Sequence, residues 1–195
     1  FGAQAALLLG FPERAVQMNA EALLVEKELG HTLTTASMLV HSALFHSYRR
    51  DAKATLSFAD AGIAFSNERG IPFRSLEADL IKGWAMAELG DAEAGVALIQ
   101  GTLVPWRQIG ADIIMSWWWA LLARALHLAG RHDEALATLR DAMSFAEEHN
   151  ELAYLPELLR LKGNILLDVD EQEEAEACFE AAVARAREMD AKFWE

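Results

Sequence analysis

Residues 71–110, IPFRSLEADLIKGWAMAELGDAEAGVALIQGTLVPWRQIG, decide the fold, because sliding them by forty residues in either direction lays turn on turn and apolar position on apolar position. Gly30, Gly70 and Gly110 stand at one phase of this period, and Asn150 and Asp190 continue the series. Gly10, Gly90 and Gly130 stand half a period away, joined by Arg50 and Asp170. With a turn at each phase, every unit is a pair of helices.

The composition agrees. A chain of 195 residues with 53% hydrophobic content suffices for one large core or for a stack of about five small units, and the period selects the stack. The chain has 12 glycines and 4 prolines, and half of those glycines fall at the turn phases, as long helices with tight connections require. The expected fold is all-α, a right-handed α-solenoid of antiparallel helix pairs. It forms one helical-repeat domain over residues 1–195 with a partial repeat at each end.

In chain order, FGAQAALLL (1–9) reads as the second half of a helix whose first half lies upstream. Gly10 ends it, and Pro12 opens the next helix, which runs to Leu29. Further helices are expected at about 32–48, 52–69, 72–89, 92–109, 112–129, 132–149, 152–167 and 171–189. Asp51, Asp91 and Asp170 are placed to cap first turns. Pro105 is expected to kink or shorten its helix. AKFWE (191–195) reads as the opening turn of one more helix.

Columns at the forty-residue spacing predict the packing. Ala3, Ala43, Gly83, Ala123 and Gly163 form one small-residue column, and Ala22, Gly62, Thr102, Ala142 and Ala182 form another, where helix axes approach closely. Two larger columns, Leu23, Ile63, Leu103, Met143 and Val183, and Leu33, Phe73, Ile113, Ala153 and Phe193, are expected to make the continuous core.

The spacing of small residues, seen as Gly83, Gly95 and Thr102, as Ala123, Ala135 and Ala142, and as Gly163, Ala175 and Ala182, resembles the tetratricopeptide repeat (TPR). Trp119 supplies the large residue before Ala123, while Leu39, Asp79 and Leu159 stand at that place elsewhere. The period of forty exceeds the usual thirty-four, so longer helices and an altered superhelical twist are expected. EALLVEKELGH (21–31), HSYRRD (46–51), IKGWAMAELG (81–90), RLKGNILL (160–167) and EEAEACFEAAVARAREMDAK (173–192) together resemble the repeat region downstream of the nucleotide-binding module in bacterial multidomain signalling proteins, among them class III adenylate and guanylate cyclases. That resemblance implies a cytoplasmic regulatory arm. Neither a Walker loop nor the cyclase metal carboxylates are present in the chain.

Chemistry is sparse. Seventeen basic against thirty acidic residues give a net charge of −13, which disfavours nucleic acid and anionic membranes. Residues 151–195 hold twelve acidic against five basic residues, −7 of that total, on what reads as a solvated face or a surface that steers a basic partner. Cys178 stands alone, so no intrachain disulfide is expected. The six histidines include no pair at the one-turn spacing of helical zinc sites, so no metal or other cofactor is expected, and His41, Ser42 and His46 lack the context of a catalytic triad.

What remains is a binding face. Trp117, Trp118 and Trp119 cannot all face one way, and at least one is expected to be exposed. Trp117 shares a phase with Ser37 and Glu77, on the face that lines the concave groove of TPR-like arrays, and either contacts a ligand or packs on a neighbour. Helical spacing extends this face to Val40, Leu44, Tyr48, Leu80, Trp84, Arg124, His127, Arg160 and Asn164. Arg124, Arg160 and Asn164 could hold a carboxylate, or pair with Glu157 and Glu77. The expected function is non-catalytic binding of a protein or peptide. The alternatives are self-association into a homodimer and small-molecule sensing at the aromatic groove.

Overall fold

The computed structural model describes residues 2–194; Phe1 and Glu195, at the two ends of the expected partial repeats, lie outside the described residues. Among the described residues the chain is all-α. The helices are α1 (Gly2–Leu8), α2 (Pro12–Leu29), α3 (Thr32–Tyr48), α4 (Ala52–Glu68), α5 (Pro72–Glu88), α6 (Ala92–Gln108), α7 (Met115–Leu128), α8 (His132–Glu148), α9 (Leu155–Asp168) and α10 (Gln172–Glu188), with a 3₁₀ turn at Leu152–Tyr154 before α9.

The turns explain the regularity. Gly10, Gly30, Gly70, Gly90, Gly110 and Gly130 all have positive φ, and so do Arg50 (57°), Asn150 (59°), Asp170 (64°) and Asp190 (52°). One left-handed residue therefore stands every twenty positions. The amide that follows it bonds five residues back, as in Asp51 N to His46 O (3.0 Å), Ile71 to Ser66 (2.8 Å), Asp91 to Met86 (3.0 Å), Arg131 to Leu126 (2.9 Å), Glu151 to Ala146 (2.8 Å) and Glu171 to Leu166 (2.9 Å). This is the Schellman closure, which satisfies carbonyls that a helix end leaves open. Within each unit, short connections such as the three residues 49–51 and 89–91 reverse the chain, and the helices they join pack antiparallel.

The described residues fall into two compact units, one built from residues up to Leu7 with Phe11–Ala111, the other from Leu8–Gly10 with residues from Asp112 onward. In the first, α3, α4, α5 and α6 pack in sequence, and α3 also touches α5. The α2 helix is tied to α3 by Thr35 donating to Glu26 and by Ser42 Oγ donating to Asn19 Oδ1 (3.2 Å). Its outer face leaves Leu24, Val25 and Leu29 exposed. In the second unit, α7 packs on α8 and α9, and α9 on α10.

The small-residue columns mark the closest contacts. A Cβ placed on Gly95 would lie 2.4 Å from the Gly83 carbonyl oxygen, and one on Gly83 would meet Gly95 O at 2.8 Å and Ile99 Cγ1 at 2.5 Å. Here α5 and α6 touch backbone to backbone. At Gly163 the obstacle is the Phe179 ring of α10, 2.6 Å away.

Several expectations are corrected. Leu33, Phe73 and Ile113 are 53%, 37% and 69% exposed instead of core; they sit at the starts of α3 and α5 and just before α7, where a first turn has fewer neighbours than a helix middle. The α7 helix begins at Met115, three residues late, since Ile114 takes a left-handed φ of 51° and acts as its N-cap. Glu151 then supplies the cap chemistry, accepting from Ser116 N (3.0 Å) and Ser116 Oγ (2.6 Å). Asp51 caps α4 by accepting from Ala54 N at 3.1 Å, whereas Asp91 makes no side-chain cap bond and Asp170 is the left-handed turn residue, one position before the N-cap Glu171. Pro105 does not shorten α6, which runs to Gln108 and closes with Ile109 N donating to Pro105 O (3.2 Å). Residues 191–194 form a turn, with Trp194 N bonded to Ala191 O (2.9 Å), not the start of a helix.

Three substitutions follow. Gly95→Ala has only backbone to push against and is expected to lower unfolding free energy by about 1–3 kcal/mol in urea titration. Gly163→Ala meets a ring that can turn and gains about 1 kcal/mol of helix propensity, so it should be close to neutral. Arg50→Gly relieves a left-handed arginine and should stabilise by about 0.5–1 kcal/mol in the same assay.

Candidate functional site

In the first unit the expected groove face is largely interior. Val40 and Leu80 have no exposure, and Leu44, Tyr48, Glu77 and Trp84 have 4–6%. Only Ser37 is half-buried, and its hydroxyl donates to Leu33 O at 2.8 Å within its own helix. The cause is that α3 is covered by both α4 and α5, so the side of it that faces the next pair is packing surface.

Charge nevertheless penetrates this interior. The Glu77 carboxylate pairs with Arg74 one turn earlier, and burial pushes its pKa up while Arg74 pulls it down. Asp79 is likewise raised by burial, and Lys82 opposes that rise. His41 is lowered to about 4, first by burial and then by the Arg74 cation. It is a neutral imidazole at physiological pH. His46 is also lowered by burial and by Arg49, stacks on Phe58 at 5.3 Å and lies 3.9 Å from Asp51.

The second unit holds the other half of the expected face. Trp117 is 4% exposed and its ring lies 5.3 Å from Tyr154 and 6.3 Å from Trp194. The neighbouring tryptophans correct the expectation that one of the three is exposed: Trp118 is fully buried, and Trp119 is half-buried with its ring edge-to-face on Phe145 at 5.4 Å. With α8, α9 and the 191–194 turn around it, α7 has cover on three sides.

Arg160 directs two donors at Glu157, Nε to Oε2 and Nη2 to Oε1, both 2.7 Å. Glu157 stands at the phase of Glu77, so the inner column of first helices twice buries a glutamate with an arginine one turn away. Arg124 Nη1 lies 3.4 Å from His127 Nδ1, and His127 Nε2 lies 2.6 Å from Asp168 Oδ2. That bond to His127 holds the Asp168 carboxyl below its usual range. Asn164 is half-buried on α9. Asp168 was not anticipated from sequence. The signal for it is the spacing of 41 residues from His127, one repeat plus one position, which brings side chains together when first helices of successive pairs lie side by side.

No family model matches the chain, and no curated protein matches it by sequence. Among solved structures it is similar to PlcR of Bacillus thuringiensis in complex with the peptide PapR7 and DNA, with a TM-score of 0.72 and 16% identity over 90% of this chain and 66% of that one. The chain thus spans just under two thirds of that PlcR chain. It is also similar to two structures of nearly identical TPR-like repeats, of the kinesin light chain kind, from Podosopora anserina. Their TM-scores are 0.57 and 0.56, at 12% and 13% identity, covering 96% of this chain and 92% of each of theirs. These likenesses establish a TPR-like helical-repeat fold. No helix among the described residues is long and apolar enough to cross a membrane.

The His41 environment sets a pH dependence. A histidine whose folded pKa is depressed favours folding fully above its unfolded value of 6.5, and that contribution drains away as pH falls from 6.5 to about 4. Glu77, raised by burial, acts in the opposite sense as pH climbs above its unfolded value of 4.5. Urea unfolding followed from pH 7 to pH 4 should therefore show a loss of stability that is smaller in a His41→Gln variant.

Proposed function

We propose that this chain is a non-catalytic binding scaffold for a peptide or protein segment, acting as the regulatory arm of a larger bacterial signalling protein in the cytoplasm. The observation that carries the reading is the likeness to PlcR, a helical-repeat protein whose structure holds the peptide PapR7. That complex also holds DNA, but a net charge of −13 here favours a peptide over a polyanion. The sequence resemblance to repeats that follow class III cyclase and nucleotide-binding modules supports the regulatory setting. Preformed helical grooves bind segments by presenting fixed pockets at low ordering cost. With most of the expected face packed inside, the binding surface is assigned in each unit to its half-buried members: Ser37 in the first, and Arg124, Arg160 and Asn164 in the second.

Self-association is the second reading, favoured by the α2 face, where Leu24, Val25 and Leu29 are 65%, 55% and 69% exposed. Sedimentation equilibrium separates the two, since a monomer at micromolar concentration removes the dimer.

Panning a random peptide library on the immobilised chain should enrich a defined peptide class. Anisotropy with a labelled member of that class should weaken by about tenfold in Ser37→Trp or in Asn164→Trp, with circular dichroism unchanged. Labelled duplex DNA should not bind at physiological salt. Enriched peptides indifferent to both substitutions, or no enrichment, would overturn the reading.

A further inference from the structure

The turn between α7 and α8 does more than reverse the chain. His127 is in the last turn of α7 and His132 is the first residue of α8, so Gly130, with φ of 73°, folds the two rings back to a centroid distance of 5.5 Å. Five residues apart, they fall outside the one-turn spacing that marks histidine ligands on a single helix. Asp168, the last residue of α9, completes the group, with Oδ2 2.6 Å from His127 Nε2. One ligand atom from each of His127, His132 and Asp168 lies within 4.8 Å of the others.

From this juxtaposition we propose that His127, His132 and Asp168 form a binding site for a divalent transition metal ion, with zinc as the best chemical match. Two imidazoles and one carboxylate are a donor set that zinc, cobalt and nickel accept, and three protein ligands leave a fourth position for water or an incoming group. The C-terminal ends of α7 and α9 bring the negative ends of their dipoles here, and the N-terminus of α8 at His132 brings one positive end. Around a tetrahedral zinc, ligand atoms stand about 3.3 Å apart. The His127–Asp168 pair therefore opens and the widest separation closes. Both changes are side-chain rotations, since Asp168 is exposed and His132 half-buried, while His127, 9% exposed, is the fixed anchor.

One neighbour opposes binding. Arg124 Nη1 lies 3.4 Å from His127 Nδ1. When His127 ligates through Nε2, its proton moves to Nδ1, and Arg124 must then withdraw. The site is consequently tunable, with the arginine setting its affinity. This inference is independent of the peptide-binding reading.

Isothermal titration of the chain with Zn²⁺, and Co²⁺ absorption spectra, test it. One equivalent of Zn²⁺ should bind, with Co²⁺ giving the intense visible bands of a four-coordinate site. His132→Ala and Asp168→Asn, both at solvent-accessible positions, should each weaken binding by about tenfold or more. Arg124→Ala should tighten it, and His149→Ala should leave it unchanged. Circular dichroism confirms that each variant is folded. If the parent binds no Zn²⁺, or if His132→Ala and Asp168→Asn bind as the parent does, the cluster is a His–Asp hydrogen bond and the proposal fails.

Discussion

Everything in this chain depends on ending a helix cleanly every twenty residues. A helix left open exposes carbonyls that must find donors, and an unclosed end buried against a neighbour would cost more than any single contact returns. One left-handed residue solves the problem by turning the following amide back onto the helix it has just left. Glycine adopts that conformation freely, and asparagine and aspartate do so with modest strain. Arg50 adopts it because the helices on either side, α3 and α4, are packed against each other and fix the connection.

Given those closures, packing follows from side-chain size. Where α5 meets α6, two glycines remove both Cβ atoms and the backbones touch. Where α9 meets α10, Phe179 fills the space that Gly163 leaves. The same architecture thus contains a rigid contact and an adaptable one, eighty residues apart in sequence. The inner column adds a further contrast, with Glu77 and Glu157 buried beside arginines where an apolar residue would suffice for stability. Buried pairs of this kind contribute little net energy and constrain which partners can fit.

The period, the turns and the close-packing glycines were legible in the sequence because each is a local rule repeated many times. What sequence reading missed depends on what covers a helix from outside its own repeat. Leu33, Phe73 and Ile113 repeat faithfully, yet periodicity says only that they share a place in the repeat, and at that place each keeps more than a third of its surface in solvent. Val40, Leu80 and Trp84 lie on a face whose spacing reads as a groove and which is mostly packing surface. Of the three successive tryptophans, Trp118 is the fully buried one, which the helical spacing alone does not single out. His132 and Asp168 were invisible as partners of His127 because one is reached across a turn and the other across a whole repeat.

The twenty-residue rhythm also bears on how such a chain tolerates change in its gene. Loss or duplication of forty residues between equivalent turns would restore every closure and every column, leaving a shorter or longer protein of the same kind. Loss of a single residue within a helix would rotate all that follows by about 100° relative to its neighbours and bring the wrong face inward. For this chain the small lesion is the grave one, and the natural step of its evolution is a whole pair of helices.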